Sequence, residues 1–251
     1  MKVGGRAQGD ARLPAALAAA CGAADALCVV HGGGDEVSAL QRRLGLEPTF
    51  VGGRRVTSVA DLEVVRMVLS GTINKRLVAL LLARGVRAVG ISGEDAMLFT
   101  ARATDVASMG RVGGTVSVDP GIVETLLAGG FTPVVSPLAR DADTPTAGLN
   151  VNGDDAAAAL AVALAADELV LVADVPGVLA AGALVSSLDP ERARALVADG
   201  VATGGMAAKL EAATAALLGG VARVRIAGLD GIGDAGAGTR MVLSPTPVRT
   251  G

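Results

Sequence analysis

The chain contains no tryptophan and no tyrosine, and its only aromatic residues are Phe50, Phe99 and Phe131. A surface that stacks nucleic-acid bases is therefore not available. The formal net charge of −3 offers no basic stripe for a phosphate backbone either. Cysteine occurs twice, as Cys21 at a helix end and Cys28 in an apolar strand, where small buried hydrophobes are expected. With no signal peptide, this is not a disulfide framework. Residues 15–20 form an alanine-rich run too short for a membrane span, so neither nucleic acid nor membrane is an expected partner and the cytoplasm is the expected compartment. There is no GxxxxGK[ST] loop and no GxGxxG between a first strand and helix. That excludes a P-loop enzyme and weakens a dinucleotide-binding reading. Histidine occurs once, as His31, and reads as a structural residue beside a glycine run rather than a base or metal ligand.

What remains is aliphatic. Of 251 residues, 51% are hydrophobic, dominated by Ala, Val and Leu, which suits buried parallel strands flanked by helices. Strands are predicted at 26–30, 87–92, 132–137, 168–174 and 222–228. Helices are predicted at 11–22, 34–43, 58–69, 72–84, 119–129, 153–166, 189–199 and 205–219, with 58–69 and 72–84 separated at Ser70-Gly71. Residues 111–118 read as a hairpin and the turn-rich 138–148 as a loop. This alternation predicts an α/β fold, an αβα sandwich around a mainly parallel central sheet with two lobes in one chain. The loop near 138–148 divides residues 1–145 from 146–251.

Four glycine motifs fall where strands should end: "KVGG" (2–5), "VVHGGGDE" (29–36), "NVNGDD" (150–155) and "ADVPGVL" (173–179). Ligands of open α/β sheets collect outside the carboxyl ends of the strands. Glycines there let backbone amides approach an anion, and a following helix amino terminus adds positive partial charge. One such turn is weak; several at strand ends, joined by lysines distant in sequence, read as a phosphate cradle.

"KVGG", "VVHGGG", "GGRRVT" (52–57), "GTINKRLV" (71–78), "VGISGED" (89–95), "LNVNGDDAAAALA" (149–161), "LVADVPGVL" (171–179) and "GGMAAKLEAA" (204–212) also occur in the order found in the amino-acid kinase family. The resemblance covers roughly residues 2–243 and is strongest to the branch that acts on N-acylated glutamate. It implies transfer of the ATP γ-phosphoryl to a side-chain carboxylate, giving an acyl phosphate. Such a carboxylate is already ionised at pH 7, so no general base is required. By the same resemblance Lys2 touches the transferring phosphoryl group, Lys209 the ATP phosphates, and Asp154 holds both ammonium groups. Amides of Gly4, Gly5, Gly33 and Gly34 surround the moving phosphoryl, while Gly32 shapes the turn. Arg55 grips the substrate α-carboxylate with its planar fork, Asn150 hydrogen-bonds the substrate and Asn152 supports the loop. Asp174, Pro176 and Gly177 belong to the nucleotide pocket. Mg²⁺ is held by phosphate oxygens and water, with no protein metal site. The first lobe is expected to hold the acyl amino acid and the second the nucleotide.

Two doublets stay ambiguous from the residues alone: Arg54 with Arg55, and Asp154 with Asp155. Asn74 and Lys75 read as a helix cap and its decoration and stand outside the site. Three departures from the family pattern are visible. Only Met1 precedes Lys2, which predicts a frayed strand and either a natural start further upstream or an α-amino group close to the phosphates. Gly153 stands where alanine is common, and the segment after "GVL" is short. No extension precedes the first strand, from which an arginine-insensitive homodimer paired through the helices at 58–84 is expected. A kinase for glutamate or 2-aminoadipate linked to an amino-group carrier protein shares most motifs, with Arg42, Arg43, Arg54 and Arg55 as its landing patch. A non-catalytic nucleotide or amino-acid sensor is the alternative from another class.

Overall fold

The run Glu168–Ala173 is apolar at consecutive positions, so both faces of its sheet must be covered. The computed structural model, which describes residues 1–243, meets that requirement with an eight-stranded sheet between two helical layers. Its strands are β1 (Lys2–Val3), β2 (Val29–His31), β3 (Ala88–Ser92), β4 (Thr132–Ser136), β5 (Glu168–Ala173), β6 (Ser187–Leu188), β7 (Arg223–Gly228) and β8 (Thr239–Met241). They lie in the order β6–β8–β7–β5–β1–β2–β4–β3. From β7 to β3 every pairing is parallel; β8 runs antiparallel to β7, and β6 runs with β8.

The helices in chain order are α1 (Leu13–Ala23), α2 (Gly34–Arg43), α3 (Val59–Arg66), α4 (Asn74–Leu82), α5 (Val106–Met109), α6 (Gly121–Ala128), α7 (Gly153–Ala163), α8 (Pro190–Ala198) and α9 (Gly204–Leu218). Alternate strand residues enter opposite cores, as a two-residue side-chain period requires. Leu169 and Leu171 pack with α7 and α9, whereas Val170 and Val172 pack with α1, α3 and α4. Each core draws on both halves of the chain, because the sheet face divides them.

Several expectations are corrected. Lys2 does not sit on a frayed strand: β1 lies inside the sheet, paired with β2 through Val30 and with β5 through Leu171. The Met1 amino group donates to Cys28 O at 2.8 Å, at the amino end of β2 and away from the glycine loops at the carboxyl ends. Residues 138–148 are not a loop. Leu138–Asp141 pairs antiparallel with Gly148–Asn150 in a second, four-stranded sheet. Ser117–Val118 joins that sheet beside Phe99–Ala101, so 111–118 does not fold back on itself. The predicted break at Ser70-Gly71 is instead a π-helical stretch, Met67–Ile73, that joins α3 to α4. Ser70 Oγ lies 2.7 Å from Ser136 Oγ there, tying the widened turn to the end of β4.

Candidate active site

β1 is where the strand order reverses: the chain goes on to β2, β4 and β3 on one side, and β5 with β7 lies on the other. A crevice opens outside the carboxyl ends at such a point. Here it is a cleft of about 870 Å³ into which three helix amino ends converge, at Gly34 of α2, Gly153 of α7 and Gly205 of α9. Their unpaired N–H groups and aligned peptide dipoles make the cleft attractive to anions.

Lys2, Asp154 and Lys209, separated by most of the chain, meet in this cleft. Lys2 Nζ lies 2.9 Å from Asp154 Oδ1, and Lys209 Nζ lies 3.3 Å from each carboxylate oxygen. The three side chains are 7%, 6% and 11% exposed, so the triad is nearly dry. Burial works against the Asp154 charge, yet the two ammonium groups hold its carboxyl below the usual aspartate range. Burial pushes the Lys209 ammonium down from the ordinary lysine range, and the positive charge of Lys2 adds to that. One negative charge thus serves two positive ones, leaving a net positive centre. Asn152 caps α7, accepting from the N–H groups of Asp154 at 2.8 Å and Asp155 at 3.2 Å, and so sets the helix start from which Asp154 projects.

The glycine loops form the opposite wall. Gly32 N–H donates to Val3 O at 2.9 Å, fastening the end of β2 to β1. Gly33 follows with φ +156°, and a Cβ there would collide with the side chains of Ile73 and Leu69. Gly4, Gly32, Gly33 and Gly34 all line the cleft, while Gly5 opens the short 3₁₀ turn Gly5–Gly9.

The two ambiguous doublets separate. Arg54 and Arg55 lie on a hairpin, Phe50–Val51 with Arg54–Arg55, whose turn Gly52-Gly53 has φ of +55° and +76°. Successive strand residues point to opposite sides. Arg54 Nη2 bonds Asp155 Oδ2 at 2.8 Å, and Arg55 turns in under α2. Arg55 Nη2 donates to Gly34 O at 2.7 Å and Ser38 Oγ at 2.8 Å, its Nη1 donates to Gln41 Oε1, and the guanidinium lies 4.7 Å from the centre of the Phe50 ring. The fork expected for a substrate carboxylate is thus engaged with the protein. Asn150 lines the cleft and donates to Thr57 Oγ1 at 3.1 Å.

On the nucleotide side, Asp174 lines the cleft and accepts from Ala7 N–H at 3.2 Å. Pro176 and Gly177 are not brought into the lining; Gly177 packs tightly against Leu184 and Thr239. Thr239 accepts from Val178 N–H at 2.8 Å and donates to Val185 O at 2.6 Å, holding the segments beside Gly177 together.

Two groups escaped the sequence reading, and Asn74, read there as a helix cap, is corrected. Gln8 lines the cleft, and its Oε1 is the buried side-chain atom without a hydrogen-bond partner among the described residues. Ser38 and Gln41 share one face of α2 at i and i+3, the only signal they gave. Asn74 is fully buried, its amide nitrogen 3.2 Å from His31 Nε2 and 2.8 Å from Val134 O. Burial pushes the His31 imidazole down to about 4, so it is neutral at physiological pH.

A mainly parallel sheet with a cleft lined by glycines and lysines at its switch point defines a class, and comparison with known proteins agrees. The model of the amino acid kinase family matches residues 1–228, and the chain belongs to that family. Among its relatives, the acetylglutamate kinase of Chloroflexus aurantiacus is 45% identical over 239 residues, 94% of each chain. The acetylglutamate kinase of Rubrobacter xylanophilus is 48% identical over 195 residues, covering 78% of this chain and 75% of that one. Among solved structures, the Streptococcus mutans protein smu.665 superposes with a TM-score of 0.87 at 28% identity, covering 97% of each chain.

Proposed function

We propose that this protein is an N-acetyl-L-glutamate kinase, transferring the γ-phosphoryl of ATP to the side-chain carboxylate to give N-acetylglutamyl 5-phosphate. The observation that carries the reading is the dry Lys2–Asp154–Lys209 triad facing the glycine loops. Phosphoryl transfer asks for positioning and for neutralisation of charge spread over phosphate oxygens, not for a base. In this reading Lys2 stabilises the moving group, Lys209 the leaving phosphates, and Asp154 keeps the ammonium groups apart and in place. Amides of Gly4, Gly5, Gly33 and Gly34 bind the equatorial oxygens, and Asn150 orients the acid. Arg55 binds its α-carboxylate by exchanging its contacts with Gln41 and Ser38 for the substrate. Asp174, with the Pro176-Gly177 turn behind it, borders the nucleotide. Residues 1–145 hold the acyl amino acid and 146–251 the nucleotide; the last eight of these lie outside the described residues.

Bound Mg²⁺ would supply charge neutralisation across the β- and γ-phosphates. Among the described residues no cluster of three or more His, Cys, Asp or Glu side chains is placed to hold a metal ion. The proposal therefore has Mg²⁺ enter on phosphate oxygens and water. The carrier-protein reading is less favoured, because Arg54 is paired with Asp155 and Arg55 is buried under α2, leaving Arg42 and Arg43 exposed. No described helix is long and apolar enough to cross a membrane; the proposal places the enzyme in the cytoplasm, as a homodimer.

The test is hydroxylamine trapping with Mg-ATP, comparing N-acetyl-L-glutamate, free glutamate, N-succinylglutamate and carrier-linked glutamate or aminoadipate. Hydroxamate from N-acetylglutamate alone is the expected result. Signal only from a carrier-linked acid moves the protein to the sister pathway, and none at all, despite nucleotide binding, makes it a sensor.

A further inference from the structure

His31 is the one histidine of the chain, it is fully buried, and the chemistry above leaves it unused. Its two ring nitrogens meet different partners. Nε2 lies 3.2 Å from Asn74 Nδ2, and Nδ1 lies 3.0 Å from Gly32 O. The orientation of the Asn74 amide is settled by its other neighbours. Nδ2 also donates to Val134 O at 2.8 Å and reaches Ile91 O at 3.4 Å, and Oδ1 accepts from Lys75 Nζ at 3.1 Å. An amide NH₂ faces Nε2, so Nε2 is the acceptor; in the neutral ring Nδ1 then carries the hydrogen and donates to Gly32 O. Asn74 thereby dictates the tautomer.

The consequence falls on the next peptide. The Gly32–Gly33 unit is planar, and its C=O and N–H point in opposite directions. Holding Gly32 O toward the imidazole turns the Gly33 N–H away from it. Gly33 lines the cleft together with Lys2 and Gly4, and a side chain at this position would collide with Ile73 and Leu69. We propose that His31 is a positioning residue: by donating from Nδ1 to Gly32 O, in the tautomer imposed by Asn74, it locks the peptide whose Gly33 N–H is presented to the transferring phosphoryl group. The catalytic consequence rests on the kinase reading above; the tautomer does not.

The groups that face the ring reinforce this state. Lys2, Lys75 and Arg76 are the charges acting on it, and all three oppose an imidazolium, adding to burial. A protonated Nε2 would also point its hydrogen at the Asn74 NH₂.

The single histidine makes the test direct. With ¹⁵N-histidine label, wild-type protein should show a neutral Nδ1–H ring at pH 7 that stays neutral to below pH 5. An Nε2–H tautomer, or a ring that is charged at pH 6, overturns the proposal. Kinetics then separate positioning from packing. His31→Asn places an amide N–H where Nδ1 stood, whereas His31→Gln keeps an acceptor toward Asn74 and loses the bond to Gly32 O. In the hydroxamate assay His31→Asn should keep kcat within about fivefold. His31→Gln should lose roughly 10–100-fold in kcat with KM for both substrates unchanged, somewhat less than the deletion of a preorganised donor. Equal losses in the two variants, or losses confined to KM, overturn the proposal. If wild-type protein phosphorylates none of the acids, the kinase reading fails, and the ring measurement still upholds or overturns the tautomer assignment.

Discussion

Asp154 is shared by two ammonium groups, so removing either lysine changes the charge of the centre as well as one contact. Lys2→Ala or Lys209→Ala should lower kcat in the hydroxamate assay by about 10²–10³, equivalent to about 2.7–4 kcal/mol, the scale for one preorganised charge-stabilising donor. Unchanged rates in both variants would refute the mechanism. Arg55→Ala should chiefly raise the apparent KM for the acid, and Arg55→Lys should not rescue it, because a single ammonium cannot bridge Gly34 O, Ser38 and Gln41 together. His31 makes a separate prediction for stability. Its folded-state value of about 4 lies below the ordinary 6.5, so between these pH values the unfolded chain binds more protons. Stability should be complete above pH 6.5, fall as pH drops toward 4, and lose on the order of 3 kcal/mol from this group. Urea melts from pH 7 to pH 4 on wild-type and His31→Asn protein would reveal it as the additional slope of the wild type over the variant.

Elements bring these residues to one place, and two junctions matter most. The start of α7 depends on the Asn152 side chain, which satisfies two N–H groups and places Asp154 two residues after the cap. Asn152→Ala should cost about 0.5–2 kcal/mol in chemical unfolding, and Asn152→Asp, which keeps the acceptor, should recover most of it. The second junction is the contact of the β2–α2 loop with the π-helical stretch, where Ile73 and Leu69 sit against Gly33. Among the described residues, the alternation of apolar runs with amphipathic stretches made five of the eight main-sheet strands and eight of the nine α-helices legible, because burial on both faces imposes it. The second sheet stayed illegible: its strands are two to four residues long, and the turn residues around 142–147 hide a hairpin. Two-residue strands such as Ser187–Leu188 leave no periodicity to read.

At the scale of the whole molecule, an ion pair ties the hairpin to α7. Arg54 on the hairpin meets Asp155 on α7, with side chains 36% and 27% exposed. A pair so open to water contributes at most about 1 kcal/mol, so Arg54→Ala should shift the urea midpoint little, and a larger loss would mean the hairpin is a folding element rather than a clasp. The long α3–π–α4 rod leaves Met67 and Leu82 58% and 53% exposed, apolar surface suited to the proposed homodimer. Met67→Glu with Leu82→Glu should convert a dimeric mass to a monomeric one in light scattering, with the monomer still folded.

The sequence alone determined the α/β class and the order of most elements, because two-sided burial leaves a local signature, and its resemblance to the family singled out the lysines, aspartate and glycines gathered in the cleft. Tertiary structure alone decided three things. Lys2 is anchored, because strands distant in sequence flank it on both sides. Arg55 and Arg54 part company, because a hairpin sends neighbours to opposite faces. Asn74 and His31 meet, because the widened turn before α4 brings a helix residue under a strand end 43 positions away. Each of these is a contact between residues remote in the chain, and no local pattern records such a contact.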